Sequence, residues 1–164
     1  MFIRFRYLAI MNKSIIIIGF AILLLGLSHN IYGQTNFNLD KNGLAIQGYD
    51  PVSYFLEKMP KKGDSKISFS SEGRTYYFSS EGNKKTFEEN PDKYEPAYGG
   101  WCAYAIGLDA SKVKIDPKTY KIVNGELLLF YNFFFVNTLD KWNDVEAGWD
   151  NRAKTNWVKI MSDE

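Results

Sequence analysis

Cysteine and histidine carry much of the nucleophilic, redox and metal chemistry of proteins, and this chain has one of each. His29 lies in an N-terminal segment expected to be removed. Cys102 stands alone in Tyr98-Gly99-Gly100-Trp101-Cys102-Ala103-Tyr104. Imidazole is the usual general base near neutral pH and the commonest metal ligand. Without it, Ser-His and Cys-His catalysis and histidine-based zinc sites are excluded. A disulfide within one chain is excluded as well. What remains for Cys102 is a soft-metal site shared with a methionine, a redox thiol, or half of an intermolecular disulfide. The plain alternative is a buried thiol packed as a small hydrophobe, since free cysteine is among the most buried residue types. No basic residue stands beside it in sequence to favour the thiolate.

Tyr49-Asp50-Pro51 is the second candidate. Asp50 suits a helix N-cap and Pro51 the first helical position. Alternatively Asp50 lines a pocket near Cys102, walled by Tyr49, Tyr98, Trp101 and Tyr104. Aromatic walls with a few polar groups are typical of small-ligand sites, and Gly99-Gly100 lets the backbone approach a ligand closely. No pair of carboxylates is placed for acid–base work, so a non-catalytic protein is expected. Glu88, Glu89, Asp92 and Glu95 form an acidic patch that reads as solvated surface, because a calcium loop needs closer oxygen spacing.

The elements that must position these residues begin after the N-terminal segment. Arg4, Arg6 and Lys13 precede the apolar run Ile15 to Leu27, and no acidic residue occurs before Asp40. A basic stretch followed by roughly 13 apolar residues matches a secretory signal, and it is short of the about 20 that span a membrane. Met11 is an alternative start, and cleavage after Ser28 or Gly33 is expected. The protein is therefore read as exported, periplasmic or secreted, with residues 1–33 as signal, 34–43 as a flexible leader and 44–162 as one domain. Losing the signal turns the balance of +1 into 17 basic against 19 acidic side chains. That near-neutral chain has no basic block and gives no footprint for nucleic acid; membrane contact is expected only through an uncleaved signal.

Within the domain, a short helix with Val52, Tyr54, Phe55 and Met59 is expected to end before Pro60. Ile67 and Phe69 alternate with polar residues, Glu72-Gly73 turns, and Thr75 to Phe78 completes a hairpin. Ser79 or Ser80 caps a helix from Glu81 to Glu89, stopped by Asn90-Pro91, and a turn-rich link follows to Tyr98. Trp101 to Ile106 reads as a short strand or a helical turn. Asn124-Gly125 between two β-prone runs is the strongest hairpin signal in the chain. Phe133 to Ile160 has helix-like spacing through Val136, Leu139, Trp142, Val145 and Trp149, with the tryptophans facing a core. Phe133-Phe134-Phe135 is more apolar than an amphipathic helix needs, so it is expected to meet a partner or a dimer mate. The expected fold is α+β: a small antiparallel sheet of two hairpins with helices packed on it.

Tyr76-Tyr77-Phe78-Ser79-Ser80-Glu81-Gly82-Asn83, then Phe87, Asn90-Pro91 and Tyr94, resembles the YHS domain family. Ile46 to Phe55, Tyr98 to Ala105, and Tyr131-Asn132 with the tryptophan-bearing tail extend the match to secreted single-domain bacterial members, over roughly residues 44 to 160. The resemblance implies a fold and an exported setting. It also implies a metal site, because metal-associated members look like D-P-V-C and Y-F-C-x-x-x-C, which gather thiolates for soft metals such as copper or zinc. Here those positions are Ser53, Ser79 and Asn83. Hydroxyls and amides are poor ligands for either metal, so the inherited site reads as dismantled. Two functions follow: an exported non-catalytic protein binding a small ligand or a metal weakly near Cys102, or a structural and protein-interaction module with an inert Cys102.

Overall fold

The structure is a computed structural model and describes residues 36–145 and 148–162. The expected signal segment lies outside the described residues. Six helices appear among them: α1 (Ser53–Leu56), α2 (Glu81–Glu89), α3 (Pro91–Tyr94), α4 (Ala103–Asp109), α5 (Thr138–Asp144) and α6 (Trp149–Ser162). The strands are β1 (Asp64–Ser71), β2 (Arg74–Phe78), β3 (Asp116–Val123), β4 (Glu126–Phe130), β5 (Asn132–Phe133) and β6 (Val136–Asn137). They pair as three antiparallel two-stranded sheets, β1–β2, β3–β4 and β5–β6. The fold is therefore α+β, with separate hairpins where one small sheet was expected.

Turn chemistry sets the first two hairpins. Glu72-Gly73 and Asn124-Gly125 both have positive φ at the two turn residues, the pattern of a type I′ turn that matches strand twist. β4 then organises the core. Leu127, Leu128, Leu129 and Phe130 are all fully buried, and strand alternation sends successive side chains to opposite faces. Leu127 and Leu129 join one cluster with Val52, Tyr54, Phe78, Phe87 and Cys102. Leu128 and Phe130 join a second with Tyr98, Ala103, Ile106, Trp142 and Ala153. An unbroken apolar run thus marks a strand covered on both sides. Phe87 of α2 carries the first cluster, meeting Phe69, Tyr76 and Phe78 with ring centroids 4.8–5.9 Å apart. In the second, α6 crosses α4 at Gly107, where an added Cβ would lie 2.4 Å from Trp149 Nε1.

Three expectations are corrected. Residues 36–39 are docked, not loose: Asn36 is buried, its carbonyl accepts from Trp101 Nε1 at 2.8 Å, and Asn38 N donates to the Gly99 carbonyl at 2.8 Å; exposed residues 40–42 form a hydrogen-bonded turn. A polar segment can dock this way when its backbone groups find internal partners. The helix-like spacing from Phe133 is interrupted, because β5–β6 takes Phe133 to Asn137 before α5 and α6 follow. The Pro91–Tyr98 link holds the short helix α3, with Pro91 at its first turn. Of Trp101 to Ile106, the last four residues open α4, with Cys102 as its N-cap.

Candidate functional site

Asp50 is completely buried just before α1, and a buried carboxylate must be satisfied by hydrogen bonds or charge. Its Oδ1 accepts from Val52 N at 2.9 Å and Ser53 N at 3.3 Å; it closes the turn that leads into α1, whose N-cap is Val52 and not Asp50 as expected. Its Oδ2 does something the local sequence does not announce. It accepts from Ser79 N at 2.8 Å, Ser79 Oγ at 2.6 Å and Asn83 Nδ2 at 2.7 Å. Ser79 sits between β2 and α2, and Asn83 is in the first turn of α2. One carboxylate thus ties the entry of α1 to the entry of α2.

The surroundings lock these partners. Ser53 Oγ donates to the Asp50 carbonyl at 2.7 Å and accepts from Lys61 N at 3.0 Å. Asp50 N donates to the Lys61 carbonyl at 2.8 Å. Asn83 Nδ2 also lies 3.3 Å from Glu57 Oε1 and 3.3 Å from Ser79 Oγ. Glu57 pairs with Lys61, and hydrogen bonding to Lys61, with Asn83 adding to it, holds the Glu57 carboxyl below its ordinary range. Ser80, next to Ser79, caps α2 by accepting from Asn83 N at 3.1 Å. Ser79 and Asn83 therefore spend their side chains on the Asp50 carboxylate and Ser53 spends its hydroxyl on the Asp50 backbone carbonyl; these are the three positions where the resemblance implies cysteine in metal-associated members. They do not fit copper or zinc, and among the described residues no group of three or more His, Cys, Asp and Glu could hold a metal ion. Ser79 also lines an open groove of about 530 Å³ with Gln47, Lys62, Gly63, Asp64 and Tyr77.

Cys102 is equally buried, and different partners hold it. Thr138 Oγ1 donates to the Tyr131 carbonyl at 2.9 Å, which leaves its lone pairs to receive the thiol at 3.3 Å. Tyr131 N donates to the sulfur at 3.4 Å. The thiol is thus satisfied inside the first cluster, and no cation contributes to that arrangement.

The six residues expected to share one pocket are divided. The Tyr49 ring lies under the Lys62 ammonium, 4.8 Å away. Tyr104 stacks on Trp149 at 5.6 Å, and Trp101 is tied to Asn36. Tyr98 is buried, with its hydroxyl donating to Asp150 Oδ1 at 3.1 Å; burial, then the Asp150 charge, pushes that phenol up. The close approach at Gly99 is to the Asn36 carbonyl and Trp157, where an added Cβ would meet atoms at 2.7 and 2.9 Å. Tyr98 and Gly99 do line a groove of about 520 Å³ with Arg74, Glu95, Lys154 and Trp157. Burial raises the Glu95 carboxyl there, opposed by Arg74, whose guanidinium is 3.4 Å from it.

Sequence reasoning missed Glu57 and the joining of Asp50 to Ser79 and Asn83. The available signal was the run of small polar residues at the family's cysteine positions, which can hydrogen-bond even though they cannot ligate a soft metal. No curated protein and no solved structure matches the chain. Residues 52–98 match the family model of the YHS domain, a span that holds α1 to α3 and every side chain donating to the Asp50 carboxylate. Residues 52–98 carry the YHS domain.

Proposed function

We propose that this is an exported, non-catalytic YHS-domain protein that acts as an interaction module, with Cys102 inert in its core. The observation that carries this reading is the use of Ser53, Ser79 and Asn83 to hold Asp50, which leaves the family's metal positions without a ligand set. The sealed thiol of Cys102 supports it independently. Periplasmic or extracellular localisation is supported by Arg4, Arg6 and Lys13 ahead of the apolar run Ile15 to Leu27.

The test is a native, non-reducing mass of the protein purified without tags or chelators, then offered Cu(I) and Zn(II). A bare mass, with iodoacetamide reaching Cys102 only after denaturation, is the expected result. A metal adduct that disappears in Cys102→Ala would sink the reading and restore a site at the thiol. A second reading, small-ligand binding, is favoured by the groove beside Tyr98. Arg74 pairs there with Glu95, and Lys154 with Glu126 and Asp150, while Trp157 lines the same groove, which suits a polar molecule lying on the indole. A small organic adduct in the same mass measurement would select it.

A further inference from the structure

The three hairpins differ in one respect that the fold does not explain. Glu72-Gly73 and Asn124-Gly125 place glycine at the second turn position, where positive φ costs it nothing. The β5–β6 hairpin, closed by the Phe133–Val136 pair, has Phe134 and Phe135 at the corresponding places, with φ of 50° and 66°. Left-handed backbone is unfavourable for side chains of that size, and neither ring is recovered by the core. Phe134 is 89% exposed and Phe135 110%. Phe133 is braced edge-on against Tyr131 at 5.2 Å, so the free rings stand on a supported base. Asn132 ties that base to β3 through Thr119 Oγ1 at 3.0 Å. From Tyr131 to Leu139 the chain carries no charge.

We infer that the Phe134-Phe135 tip is a membrane-contacting wedge that enters the interface of a lipid bilayer. This names the partner of the interaction module proposed above and rests on that reading. Area decides against a second copy of the chain. Phe134 and Phe135 offer roughly 300–500 Å² between them, and the part-exposed Phe133 and Val136 beside them still leave the apolar patch short of the about 800 Å² that a stable protein interface takes from each partner. A lipid interface sets no such minimum, because each apolar side chain partitions on its own area. The missing charge points the same way: an uncharged apolar tip enters a bilayer without electrostatic attraction, so its binding is insensitive to salt and to anionic headgroups.

The experiment is co-sedimentation of the full chain with phosphatidylcholine vesicles, and with vesicles containing phosphatidylglycerol, at low and high salt. The comparison protein is Phe134→Asn/Phe135→Gly, which copies the chain's own Asn124-Gly125 turn and relieves the backbone; Phe135→Asn is a milder second variant. Thermal melting verifies that both are folded. The expected result is binding to both vesicle types at both salt levels, weakened about tenfold or more in the double variant and less in the single one. Equal binding by all three proteins would overturn the proposal and assign the affinity to the apolar N-terminal run. Failure of the wild-type chain to bind would also overturn it. So would a dimer, lost in the double variant, in the absence of lipid. Metal capture or native alkylation of Cys102 would instead sink the interaction-module reading, so the two failures are distinguishable.

Discussion

Asp50 and Cys102 are both removed from solvent, yet burial means different things for them. Asp50 is acceptor-only when ionised, and it receives five donors from Val52, Ser53, Ser79 and Asn83. Hydrogen bonds to a charged group contribute roughly 1.5–3 kcal/mol each, and each donor stripped of its partner costs a desolvation penalty. Cys102 makes two weak contacts through sulfur and otherwise packs as an apolar group. Burial therefore makes Asp50 a cross-link between two helix entries and Cys102 a filler. The residue most suggestive of chemistry in the sequence is the less consequential of the two.

The sharpest way to break this contrast is Asp50→Ala. It strands donors from two helix entries and is expected to lose about 3–5 kcal/mol in urea unfolding; a loss below about 1 kcal/mol would show that the cluster does not hold the domain together. The combined variant Ser53→Cys/Ser79→Cys/Asn83→Cys comes next. It removes the side-chain donors to Oδ2 and is expected to cost about 2 kcal/mol without metal. It should also gain stoichiometric binding of Cu(I) or Zn(II), read by native mass, since thiolates suit those ions. A triple variant that captures no metal would mean that more than ligand identity has been lost at these positions.

Cys102→Ala is expected to cost about 1–2 kcal/mol, a small cavity with no stranded charge, and the purified wild-type thiol should alkylate only as fast as the domain opens. Native alkylation within seconds would contradict the sealed position. The smallest effect is expected at Glu95, a carboxylate outside the Asp50 cluster. Burial raises it above the 4.5 of a free glutamate, against the pull of Arg74. Between 4.5 and that raised value the folded chain keeps a proton the unfolded chain has lost, so stability falls as pH rises through this window. Glu95→Gln should flatten the dependence of the urea midpoint on pH there; an unchanged slope would assign it to other groups.

Local features were legible because their causes are local. Asn124-Gly125 specifies its turn through positive φ, Ser80 caps α2 through a neighbour three residues on, and Pro91 opens α3. The candidate site was legible only in part. Asp50 read correctly as a residue that turns the chain into α1, though Val52 is the cap itself, and its bonds to Ser79 and Asn83 cross 29 and 33 residues, which no periodicity reports. Proximity in sequence also misled: Tyr98, Trp101, Cys102 and Tyr104 are neighbours in the chain, yet the positive-φ turn through Tyr98, Gly99 and Gly100, followed by the entry into α4, sends their side chains to different partners. The tail was misread because apolar spacing alone does not distinguish one helix from a hairpin followed by two shorter helices.

By itself the sequence determined the chemistry that is possible: one thiol, one histidine in the expected signal, small polar residues where the family resemblance implies cysteines, and turn residues that fold back two hairpins. Only the tertiary structure decided where that chemistry is spent. It buried β4 on both faces, sealed Cys102 beneath Thr138 and Tyr131, closed Ser79 and Asn83 onto Asp50, and left Phe134 and Phe135 outside the core. The physical reason is that residue type sets what a group can bond to, whereas burial and long-range partners set whether any of that capacity remains free.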